Sequence, residues 1–325
     1  MQDVRWGIIG CGDVTEVKSG PAFNRVPGSR LVMVMRRDGA KAADYARRHG
    51  VPRWTDDADA LINDPEVDAV YIATPPDSHA AYTLRVAAAG KPVYVEKPMA
   101  RTLAECQAMI DACAQAQVPL FVAYYRRLLP TFLQVKAWLD AGEIGAVRAV
   151  KLELLQPPKP DDFGAEKPWR VQPAISGGGY FHDLASHQFD MLDYLLGPIS
   201  AVQGFAGNQA GLYAAPDVLA AAFTVGEGVL GSGLWSFAVG PEGGRDVIEI
   251  IGSRGSIHFA CFDLAAPVRL SVGDTRREVH CPPPAHVQEP LIGAVVAALT
   301  GQGDCPSTGA SALRTNWVLA QIAGE

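Results

Sequence analysis

Short apolar runs recur through the first part of the chain, each followed by a longer stretch with helical spacing. Val4–Ile9, Arg30–Met35, Ala69–Thr74 and Pro92–Val95 read as strands, and Leu120–Ala123 as a further one. Between them, Ala40–His49, Ser78–Ala89 and Leu103–Ala116 carry the periodicity of helices. Gly50 and Gly90 stand where two of these helices should stop. Strands that alternate with helices predict right-handed crossovers and a parallel sheet covered on both faces.

Composition narrows the class. At 325 residues the chain exceeds what one hydrophobic core usually serves, so two domains are expected. Hydrophobic residues at 48% and charged residues at 19% suit a globular enzyme rather than a disordered chain. A net charge of -7 offers no basic face for nucleic acid or an anionic membrane. No apolar run approaches the ~20 residues that span a bilayer. Val4–Ile9 begins a strand almost at once and leaves no room for a signal peptide, so a cytoplasmic location is expected. The six cysteines, Cys11, Cys106, Cys113, Cys261, Cys281 and Cys305, show neither CxxC pairs nor metal-ligand spacing. They read as reduced, mostly packed thiols, and no metal is expected.

The first strand runs into Gly10-Cys11-Gly12-Asp13-Val14-Thr15. Two glycines permit a tight turn and close approach of the backbone to a pyrophosphate, with the next helix offering its N-terminus to that charge. Thr15 stands where the third glycine of GxGxxG usually falls. Placed after an apolar strand and inside a strand–helix–strand repeat, the turn marks a Rossmann dinucleotide-binding domain. At the end of the second strand the chain reads Arg36-Arg37-Asp38. Two guanidiniums suit a 2′-phosphate and favour NADP over NAD. The other reading leaves both arginines solvated and gives Asp38 to the ribose of NAD.

Further motifs carry a family resemblance. Val93-Tyr94-Val95-Glu96-Lys97-Pro98 follows the Ala73-Thr74-Pro75-Pro76 turn and His79. Gly177-Gly178-Gly179 and Asp183-Leu184-Ala185-Ser186-His187-Gln188-Phe189-Asp190 come later in the same order. Over nearly its whole length the chain resembles the Gfo/Idh/MocA family of oxidoreductases. That resemblance implies a Rossmann domain, taken here as residues 1–124, and an α+β C-terminal domain over 125–325 with a large, mostly antiparallel open sheet. Val147–Gln156, Ala201–Ala206, Leu219–Val225, Val229–Phe237, Val247–Ile251 and Ser256–Ala260 supply strands for that sheet. Gly226-Glu227-Gly228 and Ser253-Arg254-Gly255 read as turns between neighbours.

The resemblance implies that Lys97, Asp183 and His187 meet beside the nicotinamide, and that the Lys97–Pro98 bond is cis. Asp183 and His187 are four apart, so a helix starting near Asp183 would project both from one face. A histidine titrates near neutrality and can exchange a proton with a substrate hydroxyl. Asp183 would orient His187 or the substrate. Lys97, at the carboxyl end of its strand, would hold the reacting oxygen and stabilise alkoxide charge. Gly10, Gly12, Asp13, Val14, Arg36, Arg37, Thr74, Pro75, His79, Glu96 and Lys97 are the expected cofactor-binding residues. Tyr125 departs from the family's usual Asn before an arginine and is expected to shape the substrate pocket, with Trp169, Arg170 and His182 as further substrate contacts.

The expected activity is hydride transfer between a nicotinamide and a secondary alcohol or carbonyl of a sugar, sugar derivative or cyclitol. Two alternatives within the family are a redox-neutral NAD-dependent glycosidase and a catalytically silent NAD(P)-binding regulator. An open sheet tends to be covered by another subunit, so a homodimer or homotetramer is expected. Lys18-Ser19-Gly20-Pro21 interrupts the first helix and reads either as a substrate-facing break or as a short helix followed by a second.

Overall fold

Six short runs of β-branched and aromatic residues pair, all in parallel, into the sheet of a first unit. The computed structural model describes residues 3–324. In chain order the unit holds β1 (Val4–Ile9), α1 (Asp13–Val17), β2 (Ser29–Met35), α2 (Gly39–His49), β3 (Arg53–Thr55) and α3 (Ala58–Ile62). There follow β4 (Ala69–Ile72), α4 (His79–Ala88), β5 (Val93–Val95), α5 (Leu103–Gln115) and β6 (Leu120–Val122). Their order in the sheet is β3-β2-β1-β4-β5-β6. It reverses between β1 and β4, and ligands of such sheets bind outside the carboxyl ends of the strands at that switch.

The expected strands and helices of this half are present, with β3 and α3 in addition. β3 is a three-residue edge strand without a fully buried side chain, so its sequence has no apolar alternation to read. The core is dense with rings: Trp6 packs on Phe23 at 5.0 Å between centroids, and Tyr71 stacks on Tyr94 at 4.9 Å. Each large apolar side chain removed from water contributes about 1.5–3 kcal/mol, which makes the strand ends a firm support for their loops.

The second unit holds α6 (Pro130–Asp140), β7 (Val147–Leu155), α7 (Pro173–Ser176), α8 (Gly179–Leu196), β8 (Ile199–Gly207), β9 (Val218–Val225) and β10 (Val229–Ser236). It continues with β11 (Arg245–Gly252), β12 (Gly255–Phe259), β13 (Val268–Val272) and β14 (Thr275–Val279). The sheet runs β14-β13-β12-β11-β7-β10-β9-β8, antiparallel at every step except β7 beside β10. One face is buried under α8, where Trp235 meets Phe181 at 5.2 Å and Phe189 at 5.3 Å between ring centroids. On the other face Phe205 is 75% exposed, Leu230 66% and Leu234 40%.

Three features differ from the sequence expectations. First, the chain returns: the first unit takes Pro284–Leu313 as well as the residues through Tyr125, and the second takes Arg126–Pro283 and the residues from Arg314 on. The returning stretch carries α9 (Glu289–Thr300), which buries Leu291, Ile292, Val295 and Val296, and Ser307 donates to the Val122 carbonyl at 2.7 Å. The division after residue 124 takes no account of this return, because local periodicity does not say which sheet a helix will cover. The cut near the C-terminus falls inside α10 (Gly309–Ala323). Second, α8 begins at Gly179 rather than near Asp183: the Ser176 hydroxyl accepts the Gly179 N–H at 3.0 Å, so the glycine run starts a helix instead of preceding it. Third, α6 and the β13–β14 hairpin are present although the sequence pattern did not single them out. β14 is almost wholly exposed and polar, so no buried face marks it.

Candidate active site

The cofactor turn is set by backbone bonds at the ends of three strands. Gly10 and Cys11 both donate to the Met35 carbonyl, at 2.8 and 3.2 Å, and Ala73 donates to the Ile9 carbonyl at 2.8 Å. Gly10 has φ +90°, and a Cβ there would lie 2.7 Å from Thr74 Cγ2, so glycine is required on both counts. At Gly12 a Cβ would meet only the Gly10 carbonyl, at 3.9 Å, which leaves open space beside the start of α1. Asp13 and Val14 lie in the first turn of α1, whose leading N–H groups have no intrahelical partners. An open glycine turn feeding a helix N-terminus fits a dinucleotide pyrophosphate. Thr15, in the place of the third glycine, is buried and donates its hydroxyl to the Gly12 carbonyl at 2.7 Å.

Arg36 closes the turn from the β2 side, its Nη1 donating to the Cys11 carbonyl at 3.2 Å. Arg37 is exposed. Asp38 caps α2: its carboxylate accepts the Lys41 N–H at 3.2 Å and pairs with the Lys41 ammonium at 3.4 Å, and this backbone bond holds its pKa down. The Asp38 side chain remains 47% exposed, with acceptor sites beyond those that the cap uses.

Thr74 and Pro75 follow β4, and the Ser78 hydroxyl donates to Thr74 Oγ1 at 2.8 Å. His79 is completely buried, with Nε2 2.8 Å from the Thr74 carbonyl and Nδ1 3.1 and 3.2 Å from those of Pro98 and Met99. The imidazole therefore ties the turn after β4 to the turn after β5. Burial lowers its pKa, while the carbonyls at both nitrogens favour the protonated ring. Glu96 is buried, Lys97 half-buried, and the Lys97–Pro98 peptide is cis.

In the second unit α8 carries Asp183 and His187 one turn apart on one face. Asp183 keeps 19% of its side chain exposed and accepts from Arg170 Nε at 3.3 Å. Arg170 lies over the Trp169 ring, 4.5 Å from its centroid, so these expected substrate contacts and Asp183 form one cluster. His187 is buried, its ring edge-on to Phe262 at 6.1 Å. His182, the residue before Asp183, is buried beside Phe181. Tyr125 belongs to the first unit, buried in a 3₁₀ turn over Tyr125–Leu128.

Two groups near these residues escaped the sequence reading. The Lys159 ammonium sits 4.1 Å from the centroid of the buried Tyr180 ring, whose hydroxyl donates to buried Asp162 at 2.7 Å. Burial lowers the lysine's pKa, and the Asp183 charge works against that. A lone lysine in a Pro-rich loop carries no local signal of such a setting. Gln288, from the returning segment, donates its amide to the Glu96 carboxylate at 2.6 Å across 192 positions of sequence.

Comparison with known proteins follows the same division. A family model described as an oxidoreductase family with an NAD-binding Rossmann fold matches residues 4–124, and one described as the GFO/IDH/MocA C-terminal domain matches residues 132–258. Oxidoreductase P35 of Formosa agariphila is 37% identical over 99% of this chain and 98% of its own length. Levoglucosan dehydrogenase of Pseudarthrobacter phenanthrenivorans is 38% identical over 50% of this chain and 41% of its own. A levoglucosan dehydrogenase solved with NADH and levoglucosan superposes with a TM-score of 0.88 at 25% identity, covering 99% of this chain and 97% of that one. The glycine turn, the Glu-Lys-Pro strand end, the two-sheet architecture and these matches agree: the chain belongs to the Gfo/Idh/MocA family of NAD(P)-dependent oxidoreductases.

Proposed function

We propose that the protein transfers hydride reversibly between a nicotinamide dinucleotide and a secondary alcohol or carbonyl of a sugar, sugar derivative or cyclitol. The observation that carries this reading is the placing of Asp183 and His187 one turn apart on α8, with the Asp183 carboxylate gripped by Arg170. The bound cofactor supplies the hydride acceptor or donor. His187 moves the proton at the reacting oxygen, as an imidazole general acid or base can, and Asp183 orients that imidazole or a neighbouring hydroxyl. Lys97 stabilises negative charge on the same oxygen. Trp169 and Arg170 offer an apolar wall and N–H donors to a polyol, and Lys159 adds an ammonium. The levoglucosan bound to the solved relative supports a sugar as substrate.

NADP is the preferred cofactor in this reading. Arg36, which reaches the Cys11 carbonyl, and the exposed Arg37 bring two guanidiniums to the end of β2, where a 2′-phosphate would lie. The protein works as a homo-oligomer that covers the apolar face carrying Phe205, Leu230 and Leu234.

The test is a fluorescence titration with NADPH and NADH, followed by absorbance assays over a panel of sugars, cyclitols and their keto forms. Cofactor-linked turnover on a member of that panel supports the proposal. Tight binding with no absorbance change, accompanied by release of sugar from an aryl glycoside, would replace it with the redox-neutral glycosidase.

A further inference from the structure

The carboxylate beside Lys97 and the end of the helix that opens at the glycine turn are both bonded by one short stretch of the returning segment. Glu96 Oε1 accepts from the Tyr71 hydroxyl at 2.5 Å and from Gln288 Nε2 at 2.6 Å, while Oε2 accepts the backbone N–H of Lys97 at 3.2 Å. Gln288 Oε1 accepts in turn from the Tyr94 hydroxyl at 2.8 Å. The amide can sit only one way round, because a carboxylate accepts and never donates when ionised. Glu96, Tyr71, Tyr94 and Gln288 are all buried, with Gln288 at 0% exposure. From the same stretch, the Gln288 N–H donates to the Lys18 carbonyl at 3.1 Å, and His286 Nδ1 lies 2.6 Å from the Val17 carbonyl. Val17 and Lys18 end α1. The Gly20 break that follows is a close approach: a Cβ there would lie 2.2 Å from the Thr15 carbonyl and 2.1 Å from the Tyr45 hydroxyl. The interruption at Lys18-Ser19-Gly20-Pro21 thus turns the chain under α1 and leaves the α1 carbonyls to residues 286 and 288.

We infer that Gln288 is a positioning residue for Lys97, acting through the Glu96 carboxylate, and that the 286–288 stretch ties this lysine turn to the C-terminal end of α1. The inference rests on the hydride-transfer reading only for the consequence to turnover. The tie itself is a matter of where the lysine is held. An ionised carboxylate in the core keeps a single orientation only while its donors surround it, and the amide is one of the three. With that donor gone, Glu96 rotates toward Tyr71 and the N–H of Lys97 loses a fixed acceptor.

Two variants of the full-length protein separate positioning from general stability. Gln288→Leu keeps the bulk and removes both side-chain bonds, while its backbone N–H still serves Lys18. It should lower kcat about fivefold to tenfold, the loss of a net hydrogen bond, with Kd for NADPH or NADH within about twofold. Gln288→Glu sets a second carboxylate against Glu96, and two carboxylates at that distance share one proton, which raises the pair's pKa. The shared proton rebuilds the bond at low pH. Its kcat should therefore be near normal in acid and fall as pH rises, along a limb that the unaltered protein lacks.

A readout independent of turnover completes the test. Acylation of lysines by an amine-reactive reagent, followed peptide by peptide in a mass spectrometer, reports the setting of Lys97 directly. In Gln288→Leu the Lys97 rate should change at least about threefold while surface Lys136 reacts as before. Unchanged Lys97 labelling in a folded Gln288→Leu protein, or a pH profile of Gln288→Glu that matches the unaltered protein, overturns the positioning role. Normal turnover in Lys97→Ala would instead overturn the hydride-transfer reading, and the labelling result would still decide the role of Gln288.

Discussion

Arg127 and Asp190 form a two-pronged ion pair inside the second unit, Nε to Oδ2 at 2.9 Å and Nη2 to Oδ1 at 2.7 Å. Their side chains are 4% and 1% exposed. Asp190 lies one turn beyond Ser186 and His187 on α8, so the pair anchors the helix that carries the candidate catalytic residues. Burial pushes the Asp190 carboxyl up to about 6 against the pull of Arg127.

Removing one partner leaves the other charge stranded in the core. Arg127→Met should destabilise the protein by about 3–5 kcal/mol at neutral pH, measured by urea unfolding. An acid with a raised native pKa loses native stability as pH climbs through that pKa, so the deficit should shrink toward pH ~4. Arg127→Met with Asp190→Leu should recover most of the loss. Equal deficits in the single and double variants would show that the pair does not hold α8.

The proposed chemistry makes a sharper demand on three residues. Lys97→Ala, Asp183→Asn and His187→Ala should each lower kcat by about a hundredfold or more, the scale of general acid–base and electrostatic contributions. Kd for the cofactor, followed by nicotinamide fluorescence, should move only a few-fold. A variant that turns over normally removes its residue from the scheme.

Cofactor choice is assigned to the end of β2. Arg37→Ala should weaken NADPH binding by about tenfold to a hundredfold, as expected for lost charge-assisted hydrogen bonds, and leave NADH binding nearly unchanged. Arg36→Ala also loses the bond to the Cys11 carbonyl and should weaken both, NADPH the more. Parallel isothermal titrations with both cofactors check this. An equal effect on both would return the arginines to a structural role.

Glu16 supplies a pH signature next to the dinucleotide turn. Arg48 holds its carboxyl down to about 2, with help from His49, through bonds of 2.7 and 2.8 Å. A carboxylate with a depressed native pKa contributes fully above its ordinary value near 4.5 and loses that contribution as pH falls toward 2. A third of the Glu16 side chain is exposed, so screening leaves ~1 kcal/mol or less. Glu16→Gln should therefore lower Tm slightly at pH 7 and not at pH 2. A gap in Tm that persists in strong acid would mean that packing, not charge, is the cause.

Assembly can be probed on the uncovered sheet face. Phe205 and Leu234 both stand opposite Ala220, from neighbouring strands, in one apolar row. Phe205→Glu with Leu234→Lys should shift light scattering toward a smaller species without unfolding the sheet. Unchanged mass would place the subunit contact elsewhere.

Much of this architecture was legible beforehand. Val4–Ile9, the glycine turn and the strand at Val93–Val95 each carry a local signature, because parallel strands are buried on both faces and their apolar runs are continuous. Asp183 and His187 were singled out by the family motif, and their spacing of four put them on one helix face. The start of α8 was misjudged since Gly177-Gly178-Gly179 reads as a breaker, and only the Ser176 hydroxyl turns it into a helix start. His79 was expected near the cofactor from its motif, and its imidazole is buried between the turns that follow β4 and β5.

The sequence by itself determined the element types, the parallel and antiparallel halves, the phosphate-binding turn and the candidate Lys97, Asp183 and His187. The element types and the turn follow from side-chain periods and from chemistry confined to a few consecutive residues, while the antiparallel sheet and the three candidates rest on the family resemblance. Tertiary structure alone decided that Gln288 meets Glu96, that Arg127 meets Asp190, that Asp38 caps a helix, and that Pro284–Leu313 returns to the first unit. Such pairings are selected by which buried polar groups can satisfy one another once the chain is packed, and that selection leaves no period along the chain.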